Sequence, residues 1–296
     1  MDETKMVKRE GWIVYTADDA AKNQAYIDWF IEEAHQLQLS LHFMERERFM
    51  YGVRGGQLFI EYGGKETKLP DFAVVRCIDS LFTLQLENMN IKVFNPSSLS
   101  HMANDKARTH QFLASQGIPM VDTLFIDLKH WNQDTHSFLF PVVVKENGGR
   151  GGNEVHLVSN AEELTSCMNE SGARNWIVQQ LAGTPGKDVR VFVVGNKIAG
   201  AVLRSSDSDF RANFSLGGRA EYYHLNHKET ALVEKIISLL PIGMAGIDFL
   251  FDESGNFLFN EIEDVAGSRT LSSCSTVNIV RMYLQHIIST IKNPAE

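Results

Sequence analysis

The chain is poor in the features that place a protein quickly. It has three cysteines in 296 residues: Cys77, Cys167 and Cys274. They are odd in number and far apart, so they make neither a disulfide framework nor a zinc-ligand spacing. Reduced structural thiols in a cytoplasmic protein are the reading that follows. Positive charge is scarce, with 28 Lys and Arg against 37 Asp and Glu and a net charge of −9. That balance argues against nonspecific binding to nucleic acid or to an anionic membrane. No apolar run approaches the roughly 18 residues of a membrane helix. The polar start, MDETKMVKREGW, lacks the apolar core of a signal peptide. Familiar catalytic signatures are missing too. There is no G-x-S-x-G elbow, no H-E-x-x-H and no Walker A loop, and the histidines show no spacing that implies a triad or a metal site. The first strand continues as TADDAAK, which is no dinucleotide fingerprint.

What is there is alternation. Trp12–Tyr15, Leu39–Phe43, Leu58–Tyr62 and Phe72–Val75 read as strands, with a helix over Asp18–Gln36 and Asp18 or Asp19 near its cap. A helix near Leu81–Glu87 and a strand at Ile91–Phe94 complete a βα region, which favours a mostly parallel sheet. Pro96, Ser97 and Ser98 punctuate the pattern and predict a boundary near residue 95. A helix over about Asn104–Gln116 follows, ended by Gly117 and Pro119. Strands dominate from Trp176 to Val202, and the last helix is expected over about Thr276–Ile291.

Four segments carry chemistry. In AGIDFLFDESGNFLFNEIEDVAGSRT, two short strands joined by a turn place Asp248 beside Glu261 and Glu263. Residues i and i+2 of a strand share a face, so Glu261 and Glu263 point the same way. Three carboxylates on one face repel unless a cation intervenes, and hard oxygen ligands suit Mg²⁺. In PVVVKENGGRGGNEVHLV, a strand ending in Lys145 meets a loop with Gly148, Gly149, Gly151 and Gly152. Such a loop forms an anion-binding nest, and the lysine adds a point charge. In IVQQLAGTPGKDVR, a strand exit offers backbone groups to a purine edge, and Asp188 suits ribose hydroxyls. In RSSDSDFRANFSLGG, Arg204 and Arg211 suit phosphate or carboxylate, and Asn213 a phosphate oxygen or the metal shell. Each segment alone also fits a plain reading: an acidic strand end, a glycine-rich hairpin, an ordinary turn, solvated arginines.

Taken in order, these segments and NDKARTHQFLASQGIPMVDT resemble the ATP-grasp superfamily, and within it the RimK-like glutamate ligases. The resemblance implies an α/β protein with an α+β lid: an ATP-grasp fold over residues 96–296, preceded by a Rossmann-like pre-ATP-grasp domain over 1–95. The lid would span about 103–180, and a C-terminal metal- and phosphate-binding subdomain about 181–296. It implies ATP and Mg²⁺ as cofactors, with Mn²⁺ an alternative ion. Lys106 and Lys145 would contact ATP phosphates, with Gly151 and Gly152 in the covering loop. Gln180 and Leu181 would bind adenine through backbone groups, and Asp188 would face the nucleoside. Arg211 and Asn213 would hold the γ-phosphate or an acyl phosphate, making Arg211 and Lys145 the catalytic pair. Asp248, Glu261 and Glu263 would carry the metal, and Arg76, Arg204 and Arg269 are candidates for substrate. The implied activity is ATP-dependent ligation of a carboxylate to an amine, each a small molecule or a peptide, by a protein that can form a homo-oligomer. A small-molecule kinase on the same fold and a non-catalytic ATP-binding regulatory module are the other readings. Two departures stand out. Glu263 replaces the family's usual Asn, and Asp264–Arg269 replaces its common Ser-Ser-Pro-Gly loop, which puts a glutamate substrate in doubt.

Overall fold

The computed structural model of the chain describes residues 9–132, 138–149, 154–170, 172–212 and 218–292. It opens with β1 (Glu10–Tyr15) and α1 (Ala17–Gln36). The helix cap is Thr16, whose hydroxyl accepts from the Asp19 N–H. Asp18 and Asp19 lie in the first turn just after this cap, against the positive end of the helix. There follow β2 (Ser40–Glu45), β3 (Phe49–Arg54), β4 (Gln57–Tyr62), β5 (Lys65–Glu66), β6 (Phe72–Val75), α2 (Ser80–Asn88) and β7 (Lys92–Phe94). Strands β2–β1–β6–β7 form a parallel sheet. Strands β3–β4–β5 form a separate antiparallel one. Of that small sheet only β4 is legible in the sequence, because β3 buries just Phe49 and leaves Met50 and Val53 in solvent.

The next stretch holds α3 (Ser97–Ala103), α4 (Lys106–Ser115), β8 (Thr123–Asp127), β9 (Val142–Glu146), β10 (Val155–Val158), α5 (Ala161–Glu170) and β11 (Asn175–Gln180). Helix α3 occupies the segment that reads as a linker: Leu99, Ser100 and Ala103 are buried. The antiparallel sheet β10–β9–β11–β8 packs one face on α5 through Val142, Val144, Trp176, Val178, Leu164 and Met168. Strand alternation leaves Val143, Lys145, Ile177 and Gln179 on the other face.

The remainder comprises β12 (Lys187–Val194), β13 (Lys197–Ser205), β14 (Arg219–Tyr222), α6 (His227–Leu239), β15 (Met244–Phe251), β16 (Phe257–Glu263), α7 (Arg269–Cys274) and α8 (Ile279–Lys292). Strands β14–β13–β12–β15–β16 form an antiparallel sheet. Its apolar face, with Val189, Val191, Ile247 and Phe249, packs with Val233 and Ile236 of α6. Helix α8 lies against α1: the Phe30 and Tyr283 rings are 6.2 Å apart, and Arg281 reaches Glu33 at 2.9 Å. One apolar core thus joins β1, β6 and α1 to β12, β13 and α8. Among the described residues, no helix is long and apolar enough to cross a membrane.

Candidate active site

The free face of the β8–β11 sheet and the polar face of the β12–β16 sheet enclose a cleft. It is lined by Lys106, Val143, Lys145, Gln179, Leu181, Asp188, Arg211, Leu250, Asn260 and Glu261, among others. Lys145 is the next-to-last residue of β9, and its Nζ donates to Asn260 Oδ1 across the cleft at 2.8 Å. The residue is only 8% exposed, so burial lowers its pKa to about 8. Glu261 opposes that shift and Lys106 adds to it. An ammonium so short of water is poised for an incoming anion.

Lys106 is the first residue of α4. The cap is Asp105, whose carboxylate accepts the Arg108 N–H at 2.9 Å. The glycine loop is tied to the same helix end, because Ala107 N–H donates to Asn147 Oδ1 at 2.7 Å and Lys106 N–H to Asn147 O at 3.2 Å. The Lys106 ammonium bonds the Gly149 carbonyl and lies 3.9 Å from Glu261 Oε2. Two lysines, one from each side of this loop, therefore converge on one end of the cleft. Gly151, Gly152 and Asn213 lie outside the described residues.

At the other end, Gln180 and Leu181 line the cleft where β11 exits. The Gln180 N–H is taken by Asp122 O at 3.0 Å, which withdraws that donor from any ligand. Gly186 follows with φ of +75°, and a Cβ there would stand 2.7 Å from Ser206 O. Its N–H donates to Phe210 O at 2.8 Å, tying the strand exit to the loop of Arg211. Arg211 faces the cleft with its Nη2 2.7 Å from Asp209 Oδ2.

Cross-strand register assembles the polar wall. Asp248 pairs with Arg190 on one side and Glu261 on the other, Arg204 pairs with Asp188, and Glu263 lies opposite Gly246. A register shift sets in after Asp248: Phe249 pairs with Phe259, leaving Asn260 as the extra residue. Such a bulge re-aims side chains. Asn260 and Glu261 both reach the cleft while Phe259 stays in the core. Glu261 and Glu263 lie inside β16 rather than past its end, and they share a face as the i, i+2 spacing predicts.

The carboxylates on this wall already face cations. Asp248, 1% exposed, accepts from Arg190 Nε and Nη2 at 2.7 Å each and from Arg204 Nη2 at 2.8 Å. Burial would raise its pKa, but the two guanidiniums hold it at about 2. Arg190 also bridges to Glu263. Gly246 makes room for it, since a Cβ there would lie 3.1 Å from Arg190 Cδ. Arg204 donates to both oxygens of Asp188, at 2.6 and 2.8 Å, so its fork is filled inside the protein rather than open to a substrate. Among the described residues, no group of three or more His, Cys, Asp or Glu side chains is arranged as a metal cage. Glu261 and Glu263 remain partly exposed and are hard oxygen donors of the type Mg²⁺ takes.

The other two substrate candidates flank residues 264–268. Arg76 is buried, donates to Ala266 O at 2.7 Å and lies against Tyr15 and Tyr26. Asn95 donates to Asp264 O at 2.7 Å, and Ser268 Oγ meets Tyr26 OH at 3.1 Å. The loop is thus pinned from the N-terminal region at three points. Arg269 is exposed at the start of α7. Sequence reasoning passed over Arg190, Asn260, Gln179 and His110. The i, i+2 spacing of Asp188 and Arg190 is the one signal that pointed to any of them.

A model of the RimK-like ATP-grasp domain matches residues 103–287. An uncharacterised protein of Mycoplasma genitalium is 28% identical over 299 residues, 99% of this chain and 97% of the relative. A probable alpha-L-glutamate ligase of Xanthomonas campestris pv. campestris is 33% identical over 214 residues, 70% of this chain and 73% of the relative. A solved structure of the ATP-grasp ligase PsnB, complexed with a phosphomimetic variant of minimal precursor, Mg and ADP, shares the fold. Its TM-score is 0.70 at 16% identity, over 95% of this chain and 98% of that one. The matched region runs from just before the helix of Lys106 into the helix that closes the C-terminal core, and the chain belongs to the RimK-like ATP-grasp family.

Proposed function

We propose that the protein is an ATP-dependent carboxylate–amine ligase. A substrate carboxylate attacks the γ-phosphate of ATP, giving ADP and an acyl phosphate. An amine then displaces phosphate and leaves an amide or peptide bond. The observation that carries this reading is the cleft itself. Lys106 and Lys145 on one wall oppose Asn260 and Glu261 on the other, beside the strand exit at Gln180 and Leu181. The ligase name of the Xanthomonas relative supports the reaction class. The ADP and Mg in the PsnB complex support the cofactors.

Phosphoryl transfer depends chiefly on positioning and charge neutralisation. Lys106, Lys145 and Arg211 offset the charge of the phosphates and of the group in flight. Glu261 and Glu263, with Asp248, would hold Mg²⁺, which would supply neutralisation of the phosphate charge. Arg190 pairs with both Asp248 and Glu263 and would have to share these carboxylates with a metal. Keeping water from the acyl phosphate is the role that the family resemblance implies for Gly151 and Gly152. Both substrates are small molecules or peptides.

The test is release of ADP and phosphate by the purified protein with pools of carboxylates and amines. Amine-dependent release of both, lost in Glu261→Gln, is the expected result. ADP with a stable phosphorylated product and no free phosphate would mean a kinase. Tight ATP binding without any ADP would mean a regulatory module.

A further inference from the structure

Behind the cleft at β11 lies a buried hydrogen-bonded row that the phosphate contacts leave unused. His110 sits on α4, one turn after Lys106, and is 1% exposed. Its Nδ1 is 2.8 Å from the Lys106 carbonyl, which only accepts. Nδ1 therefore carries the ring hydrogen, and Nε2 is a bare acceptor. Burial, with help from the charges of Lys145 and Lys106, lowers the imidazole pKa to about 4, so the ring stays neutral. Nε2 stands 3.1 Å from Gln179 Nε2. Thr123 Oγ1 stands 3.0 Å from the same nitrogen and gives its own hydrogen to Val121 O at 2.9 Å.

Both neighbours of the Gln179 amide nitrogen are thus acceptors, and between them they take both of its hydrogens. The amide has one orientation that satisfies this row. The reverse would set its oxygen against the Nε2 lone pair and the Thr123 oxygen, leaving buried polar groups unmatched. In the satisfied orientation Oε1 has no protein partner among the described residues, and the side chain lines the cleft next to Gln180 and Leu181.

We propose that His110 and Thr123 are positioning residues that lock the Gln179 amide with its oxygen toward the base. That oxygen accepts a hydrogen bond from the exocyclic amine of a 6-aminopurine nucleotide and rejects a 6-oxopurine. The inference rests on the reading of the cleft as a nucleotide site and deepens it. A 6-oxo group would face the Gln179 carbonyl lone pair to lone pair. If the lock is broken the amide turns over and offers its NH₂ instead, so the selectivity belongs to the row and not to Gln179 alone.

The experiment is calorimetric titration of ATP and ITP, which differ at position 6 of the purine and the adjacent ring nitrogen, into the intact protein and its variants. Wild type should prefer ATP by tenfold or more. In His110→Leu the ATP/ITP ratio should fall several-fold, by weaker ATP and stronger ITP binding. His110→Gln, which restores an acceptor, should recover the ratio. Thr123→Val removes the second acceptor with little change of shape and should also lower it, which carries the test if His110→Leu does not fold. A purely packing role would weaken both nucleotides alike, and an unchanged ratio in folded His110→Leu and Thr123→Val overturns the proposal. Equal binding of ATP and ITP by wild type overturns it while leaving the nucleotide site standing. Binding of neither overturns the nucleotide reading itself.

Discussion

The two walls of the cleft are charged in different ways. On the β8–β11 side, Lys145 is buried with a neutral amide oxygen as its hydrogen-bond partner, and its pKa is pulled down to about 8. On the β12–β16 side, buried Asp188 and Asp248 are matched by Arg204 and Arg190 in forked pairs. The first wall is incomplete without an anion, whereas the second is close to complete without a ligand. The difference separates binding from stability. The lysines of the first wall serve the ligand, and the buried Asp–Arg pairs of the second hold the sheet face together.

The sharpest way to break that contrast is Arg204→Met. It leaves Asp188 with no guanidinium and Asp248 with one, in a site 5% exposed or less. Uncompensated buried charge costs about 3–5 kcal/mol, so the unfolding midpoint in urea should drop steeply. Adding Asp188→Asn should recover part of the loss, because it removes the charge the arginine answered. A midpoint unmoved by Arg204→Met would mean the wall is not held by these pairs.

A second, smaller effect follows from pH. The Lys145 pKa lies below its ordinary value, so the unfolded chain holds that proton to higher pH than the folded one. Stability from this residue should rise between about pH 8 and the ordinary lysine range. Nucleotide affinity should move the other way. Phosphate needs the ammonium, which the free protein loses above about pH 8, so the dissociation constant for ATP should climb from there. Lys106, Glu261, Asp248 and Asp188 also act on this amine, and none of them removes the need for its charge. Titrations from pH 7 to 9.5 check both, and Lys145→Met should abolish both inflections.

The smallest effect is expected at Asn260→Ala. It removes the acceptor of the Lys145 ammonium, a hydrogen bond to a charged group of about 1.5–3 kcal/mol. Water or phosphate can replace it in the open cleft, so ATP affinity should change only a few-fold. A loss as large as that from removing Lys145 would assign Asn260 a direct nucleotide contact.

How much of this was legible depends on whether the information is local. The strands β1, β6, β9, β11, β15 and β16 announce themselves as apolar runs, and Lys145 and Glu261 sit at the polar interruptions of β9 and β16. Helix α3 hides behind Pro96 and a run of serines, because its three buried residues are too few to mark a period. Arg190 becomes part of the site through strand register, which places it opposite Asp248 from 58 residues away. Asn260 does so through a one-residue bulge. His110 and Gln179 are 69 residues apart and meet only when α4 packs behind β11. The residue types that bind were readable, but the partners that orient them were not.

The central claim is that the β8–β11 wall binds nucleotide through a charge the fold itself does not need. Calorimetric titration of ATP with Mg²⁺ into wild type and Lys145→Met, alongside urea unfolding of each, tests it directly. The account predicts that Lys145→Met binds ATP at least about thirtyfold more weakly, roughly 2 kcal/mol, while unfolding at the same urea concentration or a higher one. Unchanged ATP affinity, or a loss of affinity matched by a loss of stability, would contradict it.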